Sequence, residues 1–208
     1  MLITGEVARV TGFEKGFPIH QAWRGQSWEP DPLILDDQAL IAHVAGRGLV
    51  VLTGCGHAGV INICRYAQRL TGVGKLHAVI GGFHLAGPLF EPVIGDTVSA
   101  LEQLAPEVIV PAHCTGWKAT HAIARRLPGA FIQNSVGTTF HLTAAERPQR
   151  HDRSLPRPAP GRTPTAAHPA IPADMAVPCP AGRKRRSRRM LEITNTELNA
   201  IAVPRSAV

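Results

Sequence analysis

Gly48-Leu49-Val50-Val51-Leu52-Thr53-Gly54-Cys55-Gly56-His57 is the stretch that decides how this chain folds. Its apolar centre is short, rich in β-branched residues and closed by glycines. It therefore predicts a buried strand that runs out onto a histidine. The device recurs in His77-Ala78-Val79-Ile80-Gly81-Gly82-Phe83-His84 and in Val108-Ile109-Val110-Pro111-Ala112-His113. Between these runs the spacing becomes helical. Apolar residues fall at 60, 63, 64, 67 and 70 before Gly72, and Val93, Val98, Leu101 and Leu104 precede Pro106. Strands alternating with helices predict parallel pairing, and ligands of such sheets sit beyond the carboxyl ends of the strands. The imidazoles of His57, His84 and His113 are expected at one shared rim, where neutral imidazoles suit a divalent transition metal, zinc first.

Outward from that unit the pattern is plainer. Residues 1–4 read as a strand and 5–32 as a long irregular loop containing Trp23 and Trp28. Leu33-Ile34-Leu35 is a short apolar run broken by Asp36-Asp37. Residues 39–45 and 49–53 form a strand pair about Gly46-Arg47-Gly48. A helix is expected over 115–127, stopped by Pro128-Gly129, and two closing strands at 131–132 and 138–142. The fold class is α/β, or mixed α+β, with a mixed sheet.

Charge divides the chain in two. Residues 1–145 carry ten Lys/Arg and ten Asp/Glu, so the entire net charge of +7 lies in 146–208, together with ten of the eighteen prolines. The first part reads as one domain. The second lacks a sustained apolar period and is expected to be a disordered Pro/Arg-rich tail, with 191–202 suiting a short helix. Arg183-Lys184-Arg185-Arg186-Ser187-Arg188-Arg189 is dense enough to attract nucleic acid. Nothing aromatic interleaves it to stack on bases, so a solvated extension is the preferred reading. No run approaches the roughly 18–20 apolar residues that cross a membrane. The first residues carry no secretory pattern, which makes the cytoplasm the default compartment.

The four cysteines show no C-x-x-C spacing. Cys55 and Cys114 read as small packing residues, with metal ligation as the alternative. His20, His43, His77, His121, His141, His151 and His168 lack the strand-end placement and read as ordinary histidines. No G-x-S-x-G elbow, P-loop or G-x-G-x-x-G run is present, so serine nucleophilic catalysis and nucleotide cradling have no support in the sequence; a metal at the rim would make bound hydroxide the nucleophile, and no side chain is singled out as catalytic. Thr115-Gly116-Trp117-Lys118 opens a helix just past His113, where backbone N–H groups and a lysine favour an anion. Thr115 and Lys118 are thus candidate contacts for a phosphate or carboxylate of a small substrate, with an ordinary helix cap and a solvated lysine as the alternative.

Thr53-Gly54-Cys55-Gly56-His57-Ala58-Gly59-Val60-Ile61-Asn62, Gly81-Gly82-Phe83-His84-Leu85 and Pro111-Ala112-His113-Cys114-Thr115-Gly116 together resemble the metallo-β-lactamase superfamily. Gly5-Glu6, Thr11-Gly12-Phe13-Glu14 and Asp31-Pro32-Leu33-Ile34-Leu35-Asp36-Asp37-Gln38 are similar to its 7,8-dihydropterin-6-methyl-4-(β-D-ribofuranosyl)aminobenzene-5′-phosphate synthase-like branch. The resemblance covers residues 1–142. It implies an αββα sandwich and a binuclear metal site, usually zinc. His57 takes the place of the third-motif histidine and His113 that of the last. His84 stands where many relatives have a bridging carboxylate. The family's H-x-H-x-D-H motif is absent from the sequence. The resemblance therefore implies the C-terminal half of the sandwich, truncated, with an apolar sheet face left uncovered. Two functions follow from it: a metal-dependent hydrolase or synthase-like enzyme, and an inactive remnant or half-domain that needs a partner chain or a second copy; a third, nucleic-acid binding through the tail, rests instead on the basic run at 183–189.

Overall fold

The computed structural model describes residues 1–145 and, as backbone only, residues 191–194. Twelve elements follow in order: β1 (Leu2–Ile3), β2 (Gln21–Trp23), β3 (Trp28–Pro30), β4 (Ala39–Val44), β5 (Gly48–Thr53), α1 (Val60–Thr71), β6 (Leu76–Gly82), α2 (Ile94–Leu104), β7 (Val108–Ala112), α3 (Trp117–Arg126), β8 (Thr139–Leu142) and β9 (Leu191–Thr194). Short 3₁₀ turns occupy Glu91–Val93 and His113–Thr115.

Five strands form one sheet in the order β1-β4-β5-β6-β7. The β1–β4 and β4–β5 pairs are antiparallel, whereas β5, β6 and β7 are parallel. Two successive crossovers in the same direction place α1 and α2 on one face. There Leu49, Val51, Leu76, Val79 and Ile109 of the strands meet Ile61, Ile63 and Ala67 of α1, Leu101 of α2 and Ile123 of α3 in one buried cluster. This is the expected α/β arrangement with a mixed sheet.

Strict alternation would put Leu76 and Ala78 on the same face. The register instead slips between Leu49 and Val50, pairing Leu49 with Leu76 and Val50 with Ala78, so His77 is the extra residue of a bulge. The slip turns Leu76 and Val79 to the helices and Ala78 and Ile80 to the opposite face. His77 Nδ1 lies 2.7 Å from Glu107 Oε2, which also binds the sheet's bottom edge to the turn before β7. Pro111 sits within β7 without disrupting the sheet, because β7 is its edge.

Three expectations are corrected. The second sheet face is not bare: Val50, Ala78, Ile80 and Val110 are fully buried, with Leu142 and Phe140 of β8 packed among them. Phe131-Ile132 is not a strand of its own but a single bridge from Phe131 to Ile109. Leu191–Thr194 is a strand antiparallel to β8, not the start of a helix. The period-2 run Leu191-Glu192-Ile193-Thr194 matches the open edge of β8 better than a helical repeat. The loop of 5–32 also contains a hairpin, β2–β3, in which Trp23 faces Trp28 with ring centroids 5.8 Å apart. The remainder of the expected tail, with its basic run at 183–189, lies outside the described residues. Among the described residues, no helix is long and apolar enough to cross a membrane.

Candidate metal centre

The turn that carries Cys55 and His57 is held from a distance. Helix α1 has no side-chain cap of its own, because Gly59 precedes it. The buried Glu14 carboxylate supplies the cap, accepting the N–H groups of Ile61 and Asn62 at 2.8 Å each. Gly59 is required there, since a Cβ would lie 2.3 Å from Glu14 Cδ and the backbone adopts φ +95°. Asn62 answers by accepting the N–H groups of Val10 and Thr11. Arg9 then stitches three segments together, its guanidinium donating to the carbonyls of Glu14, Leu33, His57 and Ala58. Burial pulls the Arg9 pKa down, while Asp37 and Glu14 oppose it.

His57 is oriented from behind. Asp37 accepts the Ala58 N–H at 2.9 Å, and its other oxygen lies 3.8 Å from His57 Nδ1. This is the carboxylate–imidazole support typical of ligating histidines. Burial raises the Asp37 pKa against the hydrogen bond from Ala58 and the charge of His57. Burial lowers the His57 pKa, but Cys55 and Asp37 outweigh it and raise the value overall.

Two residues past the end of β6 comes His84, which adopts φ +45°. A non-glycine residue in the left-handed region costs about 1–3 kcal/mol and persists only where its surroundings over-determine it. The turn is pinned on both sides. Phe83 N–H donates to the buried Thr115 hydroxyl, and the N–H groups of Leu85 and Ala86 reach the Cys114 carbonyl. His84 lies edge-on to His57, with ring centroids 4.4 Å apart, and to Phe90, at 4.5 Å. Burial and then the charge of His57 pull its pKa down to about 4, so the ring is neutral at physiological pH. Its buried Nδ1 has no hydrogen-bond partner.

β7 delivers His113 and Cys114. His113 Nε2 lies 3.4 Å from Cys55 Sγ, and Cys114 Sγ lies 3.3 Å from the Cys55 carbonyl. Hydrogen bonds from Cys114, His113 and His57 hold the Cys55 thiol far below its ordinary range. The same contact with Cys55, then burial, pushes Cys114 up. Cys55 stands between His113 and His57, with the His57–His84 pair beyond. All five side chains lie past the carboxyl ends of β5, β6 and β7.

Among the described residues, the donor group whose ligand atoms all fall within 4.8 Å of one another is Cys55, His113 and Cys114. It shares His113 with the expected trio but takes its other members from cysteines that the sequence suggested as packing. The signal was their adjacency to the histidines. In the sequence Glu14 and Asp37 stood out only as members of the resembling segments and Arg9 not at all; the roles of all three escaped the sequence reading, because they depend on contacts 20 to 50 residues away along the chain. Thr115, an expected substrate contact, is buried and accepts from Phe83. Lys118, the other, projects to solvent 2.5 Å from Glu91 Oε2. The helix they were to open begins later, at Trp117, because His113–Thr115 forms a 3₁₀ turn.

Sulfur and imidazole donors together with an orphaned, neutral histidine nitrogen fit a borderline ion of the zinc class. Two clefts flank the rim. One of about 360 Å³ is lined by Phe13, Lys15, His57, Phe83, His84 and Phe90. The other, about 380 Å³, includes His113, Trp117, Thr120 and Gln133.

No family model matches the chain. The 7,8-dihydropterin-6-methyl-4-(β-D-ribofuranosyl)-aminobenzene-5′-phosphate synthase of Methanocaldococcus jannaschii is 36% identical over 103 residues, covering 50% of this chain and 35% of that protein. An uncharacterized protein of the same organism is 37% identical over 102 residues, covering 49% and 35%. The chain thus spans about a third of the length of the curated relatives it matches. Among solved structures, a metal-dependent hydrolase of the β-lactamase superfamily superposes with a TM-score of 0.51 at 26% identity, covering 62% of this chain and 53% of that one.

Proposed function

We propose that this chain, which carries the metallo-β-lactamase fold and is similar to the dihydropterin-ribofuranosylaminobenzene-phosphate synthase, holds a divalent ion, zinc first, for a metal-dependent hydrolytic or synthase-like reaction. One observation supports the reading: past the ends of three adjacent parallel strands, Cys55, His113 and Cys114 bring their donor atoms within 4.8 Å of one another, and the His57–His84 ring pair stands beside them with a buried, unpartnered His84 Nδ1. A bound ion there would supply Lewis acidity to a water or to a substrate oxygen. The chain's own part is to keep the three rings fixed through Asp37, Arg9 and the pinned turn at His84. The aromatic cleft beside His57 and His84, with Lys15 near its mouth, suits a small phosphorylated substrate.

The ligand set on this chain includes no H-x-H-x-D-H segment. That favours a second reading, in which the chain is one half of a centre that a complementary half-domain or a second copy completes. Metal content of the purified, zinc-reconstituted chain tests the first reading, together with hydrolysis of phosphoester and lactam substrates. Stoichiometric zinc, lost in His57→Ala and His113→Ala, is the expected result, and absence of retained metal overturns it. Turnover appearing only when a polypeptide carrying the missing motif is added would favour the second reading.

A further inference from the structure

We infer that the ion at this rim is held through sulfur, with Cys55 and Cys114 joining His113 as direct ligands in a thiolate-rich set that selects a soft or borderline ion over manganese or magnesium. The inference rests on the proposed metal centre and adds the identity of its donors.

Spacing supports it first. Ligands at about 2.3 Å (sulfur) and 2.0–2.1 Å (nitrogen) around a tetrahedral ion lie roughly 3.3–3.8 Å from one another. The 3.4 Å from Cys55 Sγ to His113 Nε2 is one such edge, and Cys114 closes the triangle within 4.8 Å. His57, two residues after Cys55 and held from behind by Asp37, offers the next direction.

The backbone supports it independently. Cys55 leaves β5 whereas His113 and Cys114 leave β7, so β6 lies between them. They meet only because Gly82, the last residue of β6, has no side chain. A Cβ there would sit 2.6 Å from Cys114 Sγ and 2.7 Å from His113 Nε2. The space above β6 is therefore filled by donor atoms, not by a hydrophobe. Cys64 shows what a packing cysteine looks like in this protein: it is fully buried in the apolar core between sheet and helices. Cys55 and Cys114 are half-buried, at the rim, with their sulfurs against polar groups.

Each cysteine binds as its thiolate: where an S–H bond is still present it breaks as the metal–sulfur bond forms, and that proton passes to the buffer. Soft donors of this kind discriminate against ions that prefer carboxylate and water.

Cobalt(II) titration of the reduced, metal-free full chain tests the inference by spectroscopy, without reference to turnover. A thiolate-to-cobalt charge-transfer band in the near ultraviolet, alongside tetrahedral visible bands, is expected. Cys55→Ser and Cys114→Ser should each cut the band by about half. Each should also weaken zinc by more than about a hundredfold, beyond the 10–100-fold that loss of an outer partner costs. Should either variant fail to fold, alkylation of the wild-type chain followed by mass spectrometry gives the same answer: zinc should protect Cys55 and Cys114. Visible bands without charge transfer, or alkylation unaffected by bound zinc, would overturn sulfur ligation and leave the metal centre standing. A folded chain that takes up neither cobalt nor zinc removes the metal centre itself, and this inference with it.

Discussion

Gly82 controls how closely the donors of two non-adjacent strands can approach. Gly82→Ala places a methyl group 2.6–2.7 Å from Cys114 Sγ, His113 Nε2 and the Gly54 carbonyl, all in a turn with little freedom to yield. The variant should lose about 1–3 kcal/mol of stability and more than about tenfold in zinc affinity, read by chemical denaturation and chelator competition. Glu14 works at the other side of the turn. In Glu14→Gln the amide offers one oxygen where the carboxylate offered two, leaving Ile61 or Asn62 N–H unpartnered at a cost of about 1–3 kcal/mol. Its pH dependence has a definite sign. Burial raises the Glu14 pKa above its ordinary 4.5, against the hydrogen bonds from Ile61, Asn62 and Thr11. Just above pH 4.5 the folded chain therefore keeps a proton that the unfolded chain has lost. Wild-type stability should fall with rising pH across that window relative to Glu14→Gln, as denaturation at a series of pH values would reveal. Asp37→Ala removes the group behind His57 and should lower zinc affinity about 10–100-fold with a smaller effect on folding.

Elements differ in how much of themselves they declare locally. α1 was legible at both ends, because apolar residues at helical spacing begin at Val60 and Gly72 stops them in the left-handed conformation. β5, β6 and β7 were legible for the same kind of reason, as short β-branched runs bounded by glycine or proline. β2 and β3 were not: each has three residues, too few for a period to register, and a turn joined by Arg24 N–H to the Ser27 carbonyl makes the hairpin. The bulge at His77 was equally invisible, since a slip of one residue shows only when the partner strand is in place. Its consequence is testable. Ile80 is fully buried on the face turned towards β8, so Ile80→Ala should cost about 2–5 kcal/mol although no helix among the described residues packs in that cluster, as measured by urea denaturation.

At the scale of the molecule, metal binding and folding share one equilibrium. An ion that binds the folded rim and not the unfolded chain adds about 2.7 kcal/mol at a hundredfold excess over Kd. Zinc should therefore raise the melting temperature of the wild-type chain and a chelator reverse it, with neither effect in Cys55→Ser/Cys114→Ser. The amino-acid sequence alone determined the α/β class, the parallel unit of β5, β6 and β7, and the arrival of a histidine at the end of each. Those features are written in local periodicity and in glycine placement, which act within a few residues. The tertiary structure alone decided which donors share a space. Cys55 and Cys114 meet across β6, Glu14 caps α1 and Asp37 backs His57 because sheet order and loop packing bring them together. Contacts spanning tens of residues depend on where the whole backbone goes, and no local spacing encodes them.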